Sequence, residues 1–411
     1  MAEEYQWNLT GFGSARASLH WLSVTFAALL ASQCPAALAE EGDVVTLTAG
    51  AGVIRDSNLL RTPANEQSDT IRRLSAGVKA DVPVSLQHVI FEANVDDYHY
   101  ADFSQLNYQG GAAQGAWNWQ LADVAKGRLG YRYQRFIADL GDLQTSIRDL
   151  ITQRTPFFSL NYLLTPEWQI VGDVSHADTR HSEQTTFDNR LETGAVGINY
   201  LTGSNNSVGL LIRRSYANYP NQESIAVASG TVDQVDNSYH ETETSAVAVW
   251  NPSGESRLSA RAGYTSRKHV DLTGRDFGGA TGEIIYHWVP TGKTYVDVTA
   301  YRKIASSDDF SASFILFRGF AITPVWMALP TITVRAHLIR ELRDYDGDPG
   351  IVLGTTERRS DTFQSGQISV AYAPTRNTEI SLSFERGKRD SNRDGFDYTY
   401  NQTGAAFRAS F

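Results

Sequence analysis

From Val44 to Phe411 the chain keeps alternating apolar with polar residues, and this period of two leaves few folds open to it. Leu258, Ala260, Ala262 and Tyr264 alternate with Arg257, Ser259, Arg261 and Gly263. Val89, Phe91, Ala93 and Val95 alternate with Glu92, Asn94 and Asp96. Ile380, Leu382 and Phe384 stand between Glu379, Ser381, Ser383 and Glu385, and Val334, Ala336 and Leu338 between Arg335 and His337. Each such strand has one apolar face and one charged face. In a soluble sandwich the apolar face meets a second sheet; in a transmembrane barrel it meets lipid and the polar face lines a lumen. No linker, charge block or long helical stretch marks off another domain.

The tryptophans separate these two folds. Trp117 and Trp119 precede a turn near Ala122, Trp168 follows Pro166, and Trp250, Trp288 and Trp326 precede turns at Pro252, Pro290 and Pro330. Indole has an apolar body and one N–H donor, so it favours a membrane–water boundary. Six indoles beside tight turns form a girdle at one rim of a barrel; a soluble sandwich has no reason to keep them on one side.

Turn chemistry then counts the strands. Short reversals rich in Pro, Gly, Asn and Ser fall near 82–85, 122, 165–166, 202–205, 251–254, 290–293, 329–331 and 374–377. Longer, polar, Asp-rich connections alternate with them, for example 55–67, 220–237, 306–311 and 343–358. Eight short turns with both termini on their side predict an all-β, antiparallel up-and-down transmembrane barrel of about 18 strands, with short periplasmic turns and longer extracellular loops. Sixteen is the alternative, because 137–157 patterns poorly.

A mean hydropathy of −0.32 and 20% charged residues look soluble, but a barrel shows lipid only every second residue. Residues 1–39 resemble a secretory signal: an apolar run from Trp21 to Ala31 precedes Ala37–Leu38–Ala39, leaving 40–411 as the barrel. Cys34, the one cysteine, falls in that leader, so the mature chain carries none into an oxidising compartment. Of the formal charge of −10, −1 lies in the leader, and the remaining −9 argues against a nucleic-acid partner. Phe411 ends the chain, with Phe407 and Ala409 at alternating positions before it. That ending looks like the signal outer-membrane barrels show their insertion machinery, which places the chain in the Gram-negative outer membrane among lipid and lipopolysaccharide.

The stretches Asp56–Arg61, Ser68–Arg72, Ala116–Leu121, Arg128–Tyr131, Tyr200–Gly203, Arg257–Tyr264 and His287–Thr294 carry a family resemblance. Through them nearly the whole mature chain resembles the EpsL family of exopolysaccharide-biosynthesis outer-membrane proteins, with Leu60 where Phe is expected. The resemblance implies a barrel that assists polysaccharide export alongside other export components. It supplies no catalytic residues.

Chemistry-bearing patterns are sparse. Asp390, Asn392 and Asp394 before Gly395 match the first half of a calcium loop, but Asn401 stands where a bidentate Glu belongs. Asp344, Asp346 and Asp348 form a similar acidic run. His176, Asp178 and His181 cluster near one strand end, and Asp96–Asp97 precede His99; they read as solvated rim residues, since no nucleophile motif accompanies them. The lumen is the remaining site. Arg128, Arg132, Arg257, Arg261, Asp297, Lys303, Arg335, Glu92, Glu379 and Glu385 take the parity opposite their strands' apolar residues. In a barrel of this size they would line a water-filled path of mixed charge. The expectation is a non-enzymatic, cofactor-free channel for exopolysaccharide. A general diffusion porin is the alternative and a barrel hydrolase the third reading. A porin usually narrows its bore with a long infolded loop; the longest candidate here, 220–237, is moderate, which favours an open bore or one closed by partners.

Overall fold

A strand can turn every second side chain to lipid while its neighbours satisfy its backbone, and the structure is built on that economy. The computed structural model describes residues 44–411 apart from 144–145, 222, 227–231, 272, 307–313 and 348–357. The wall begins with β1 (Val45–Asp56), β2 (Asp69–Val84), β3 (Gln87–Tyr100), β4 (Tyr108–Leu121), β5 (Ala125–Ile137) and β6 (Leu150–Thr165). It continues through β7 (Trp168–His181), β8 (Asn189–Leu201) and β9 (Ser207–Asn218). A separate two-stranded hairpin, β10 (Glu223–Ala226) and β11 (Val232–Val235), lies in the next connection. The wall resumes with β12 (Tyr239–Ser253), β13 (Ser256–His269), β14 (Phe277–Thr291), β15 (Thr294–Ser306) and β16 (Phe314–Leu329). It ends with β17 (Ile332–Asp346), β18 (Ser360–Thr375), β19 (Thr378–Ser391) and β20 (Tyr398–Ser410).

These eighteen wall strands form one antiparallel sheet that closes on itself. β1 pairs with β2 on one side and with β20 on the other, from Thr48↔Ser410 to Asp56↔Gln402. Phe411 continues the seam, its N–H donating to the Leu47 carbonyl at 2.8 Å. The short turns fall where expected, three of them on left-handed residues: Ser85 (φ 58°), Ala122 (φ 48°) and Asn205 (φ 57°).

The sixteen-strand alternative is set aside, because 137–157 holds the end of β5 and the first half of β6. Its weak pattern has a cause. Pro156 sits inside β6, and the β6–β7 ladder passes from Arg154↔Asp178 to Phe157↔Ser175 without pairing the residues between. Proline has no N–H to give there. Pro324 interrupts the β16–β17 ladder in the same way, between Ile322↔Leu338 and Val325↔Arg335.

Register carries one parity around the whole ring. Exposed apolar side chains such as Leu47, Leu74, Val174, Leu210, Ile284, Phe320 and Leu382 share the outer face. The buried apolar clusters gather toward the long connections, the largest joining Leu59, Leu60, Ile71, Tyr100, Leu106 and Leu140. The leader with Cys34, and Asp348, lie outside the described residues.

The two rims are distinguishable by labelling. In a barrel otherwise free of cysteine, Asp394→Cys in the β19–β20 connection should react with a membrane-impermeant maleimide in intact cells. Gly292→Cys, in the β14–β15 turn, should react only after permeabilisation. The opposite pattern would invert the orientation.

Candidate functional site: the barrel interior

Opposite the lipid-facing residues, the strands present a charged inner face whose groups meet across neighbouring strands. On β13, Arg257 and Arg261 take the parity opposite exposed Tyr264. Arg261 bonds Glu243 Oε1, while Arg213 Nη1 reaches the other oxygen at 3.2 Å, so two guanidiniums share one carboxylate. Arg257 stands opposite His287, whose Nδ1 lies 2.6 Å from Asp297 Oδ1. Arg335 stands between Val325 and Ser369. Glu379 faces Arg408 across the β19–β20 pair, and Glu385 accepts from Ser365 (2.8 Å) and Tyr400 (2.5 Å). Glu92 pairs with Lys79 at 3.4 Å, and the Lys303 ammonium sits 4.2 Å from the Tyr301 ring centre. On β5, Arg128 and Arg132 flank the Phe157 ring at 5.4 and 5.6 Å. Gly130 makes that possible, since a Cβ there would fall 2.5 Å from Phe157 Cζ.

A second set of arginines, missed in the sequence, crowds the long-loop half. Arg343 lies over Phe363 (4.6 Å), Arg359 over Tyr345 (3.9 Å), Arg267 over Tyr239 (4.0 Å) and Arg61 over Tyr400 (3.8 Å). Each of the four also holds a carboxylate: Arg343 with Glu341, Arg359 with Asp361, Arg267 with Glu241 and Arg61 with Asp56. A desolvated cation on an aromatic face gains about 2 kcal/mol, which offsets part of the cost of burial. The signal that could have found them is the inward parity of tyrosine and arginine on adjacent strands, which needs the register.

The β5–β6 connection, described over 138–143 and 146–149, turns inward through a single helical turn, α1 (Leu140–Leu143). Leu140 joins the inner-face residues Ile71 and Tyr100 in one cluster, and the Gly141 carbonyl accepts from Arg389 Nη2 of β19 at 3.0 Å. Arg389 is buried and also donates to the Phe396 carbonyl at 2.8 Å. The start of this connection therefore packs against the inner faces of β2 and β3, where an arginine from across the seam reaches it. Its end is clamped: Asp149 meets His181 Nδ1 at 2.7 Å and accepts from the Glu183 N–H at 2.9 Å. The end of β15 leans inward from another direction. β14 and β15 stop pairing at Gly282↔Arg302, and Ser306 beyond that point reaches Tyr239 of β12 at 3.1 Å. The sequence singled out 220–237 as the longest connection, whereas among the described residues the inward contacts come from the β5–β6 connection and the end of β15.

The remaining site expectations separate. His181 is buried against Phe187, not a solvated rim residue. It has an orienting acid, but its Nε2 has no hydrogen-bond partner, and Ser182 bonds Asp149 instead. That arrangement fastens a loop. Asp390 pairs with Lys388 (2.7 Å) and Asn392 bonds the backbone of Ser360 and Arg358, so Asp390, Asn392 and Asp394 are not gathered into one set. Among the described residues no group of three His, Cys, Asp or Glu is placed to hold a metal. Trp117, Trp168, Trp250, Trp288 and Trp326 are exposed at the short-turn ends, while Trp119 is half-buried and stacks on Phe158. Phe407 and Phe411 are exposed on the outer face.

Residues 44–411 match the family described as "Putative beta-barrel porin 2". No curated protein matches the chain. Similar solved structures include the Pseudomonas aeruginosa outer membrane protein OpdK, at 9% identity over 89% of this chain and 99% of that one, with a TM-score of 0.47. P. aeruginosa OccK2 (OpdF) is 10% identical over 89% and 97%, TM-score 0.48. P. aeruginosa OccK9 (OpdG) is 12% identical over 90% and 100%, TM-score 0.47.

The clamp on 138–149 is testable by pH and by mutation. Burial pushes the Asp149 carboxyl up, but the bonds from His181 and the Glu183 and Gln184 N–H groups outweigh it and hold its pKa below the ordinary carboxylate value. A depressed pKa contributes stability above the unfolded value and loses it as pH falls through the folded one. The narrowed state should therefore persist at mildly acidic pH and loosen only below the ordinary carboxylate range. Asp149→Asn should loosen it at neutral pH by about 2 kcal/mol, roughly thirty-fold in the closed-to-open ratio. Single-channel recording reads this as larger, noisier openings; unchanged traces would show that the clamp does not hold the constriction.

Proposed function

As this chain belongs to the family described as "Putative beta-barrel porin 2", we propose that it is a Gram-negative outer-membrane channel through which small hydrophilic solutes diffuse. The observation that carries this reading is the β5–β6 connection, whose described residues turn inward and are tied to β19 through Arg389 and to β7 through Asp149 and His181. A barrel of this many strands encloses water unless something narrows it. Side chains and backbone turned inward at the long-loop half favour single small solutes over a hydrated polymer. The matched family is also one of porins. Both considerations favour the diffusion-porin expectation over exopolysaccharide export.

The lining accounts for the solutes. Inner-face arginines and carboxylates are held by neighbouring strands, so they present fixed donors and acceptors to a passing molecule. Hydration of the bore excludes lipid-soluble compounds and admits those that exchange water for these groups. No chemistry is required of the lining, and His181, the best-oriented base, has no nucleophile at its Nε2.

Two measurements test the reading. In liposome-swelling assays the purified barrel should pass mono- and disaccharides and exclude larger oligosaccharides. A strain lacking the gene should keep normal surface polysaccharide, and polymer trapped in its periplasm would overturn the porin reading in favour of export. Charge reversal tests the conduction path. Arg335 faces no anion on either adjacent strand, and Arg257 stands beside it in purpose on the same inner face. A unit charge about 7 Å away in water acts with roughly 0.6 kcal/mol, about threefold in local ion concentration. Arg257→Glu with Arg335→Glu should therefore shift reversal potentials toward cation selectivity, and unchanged potentials in a folded double variant would place both outside the path.

A further inference from the structure

The outer wall has a defect where a smooth apolar belt is expected. Pro156 breaks the β6–β7 ladder, and two strands away Gly194 leaves a gap: a Cβ built there would meet only Val174 Cγ1, at 3.9 Å. Together they open a groove of about 820 Å³ on the lipid-facing side. Its floor is apolar, formed by the outward residues Leu129, Pro156, Phe158 and Val174. Its rim is polar. Arg214 stands between Gly194 and Thr242 with no anion opposite it in either neighbour. Beside it His176 Nδ1 lies 3.5 Å from Glu192, and Tyr216 stacks on His240 at 4.6 Å.

The position on the wall specifies the occupant. The groove lies toward the long loops, directly above exposed Val196, Ile198, Leu210 and Ile212. Any molecule filling it has acyl chains along that belt and a head at the polar rim. An exposed guanidinium over an apolar floor selects a phosphate. The rim runs across β7, β8, β9 and β12, roughly 14 Å at the usual strand spacing. That width suits a phosphorylated disaccharide better than a single phosphoglycerol. We propose that this groove is a binding site for one lipopolysaccharide molecule, with a lipid A acyl chain on the Pro156–Val174 floor and a lipid A phosphate on Arg214. The hydroxyls of its sugars meet Glu192, Tyr216 and the two histidines. The inference rests on the outer-membrane location and is independent of what the bore conducts.

Native mass spectrometry of the full barrel in mild detergent tests it. The protein is stripped of lipid, then titrated with bisphosphorylated lipid A, its dephosphorylated form, or phosphatidylglycerol. One lipid A should bind in preference to both others. Arg214→Glu should weaken it about tenfold, the loss of one charge-assisted bond. Gly194→Trp should weaken it by filling the floor, while Arg386→Glu on distant β19 should leave it unchanged. If Arg214→Glu does not assemble, Arg214→Gln replaces it. Heat-modifiable mobility and conductance, read on the same samples, separate a lost lipid site from a lost channel. Equal binding of phosphatidylglycerol, or lipid A binding that neither groove variant weakens, would overturn the proposal.

Discussion

The hydrogen-bonded seam between β1 and β20 is the constraint on which the rest depends. In lipid there is no water to take an unpaired N–H or carbonyl, so a sheet survives only by leaving no edge. Once Thr48↔Ser410 through Asp56↔Gln402 are joined, every strand has two partners and parity is fixed around the ring. A slip of one residue at any pair would send a row of arginines into lipid, at about 2–4 kcal/mol for each at mid-membrane. Closure thus protects the charge pattern as well as the backbone.

Inside, the same closure creates a different problem. Inward arginines share a confined space with one another, and burial costs them solvation. The structure offsets this with carboxylates on adjacent strands and with aromatic faces beneath the guanidiniums. Arg213 and Arg261 divide one glutamate; Arg343, Arg359 and Arg61 each take both an acid and a ring. Such pairs add little net stability, but they fix where each donor points. A channel lining needs that property more than strength.

The least regular stretch of sequence serves two faces of the wall. After β5 the chain leaves the sheet and turns inward, its Gly141 held by Arg389 and its Asp149 by His181. Seven residues past Asp149, Pro156 interrupts the ladder and opens the groove on the lipid side. An interruption that weakens one seam is tolerated because β6 keeps its pairing with β5 through the same residues, including Tyr131↔Pro156.

Fold class, strand number and turn positions were legible in the sequence, because side-chain alternation and turn chemistry are local properties of the chain. Alternation also sets which residues share a face, such as Arg257 with Arg261, since successive Cβ atoms point to opposite sides. Partners were not legible. Arg261 meeting Glu243 and Arg213, or Asp149 meeting His181, depends on register between strands or on contacts across the bore, and no local pattern encodes either. Which connection turns inward was hidden for the same reason. Loop length was visible, but the inward turn at Leu140–Gly141 is decided by distant groups, Arg389 and the Leu59–Leu106 cluster, that only closure of the barrel brings within reach.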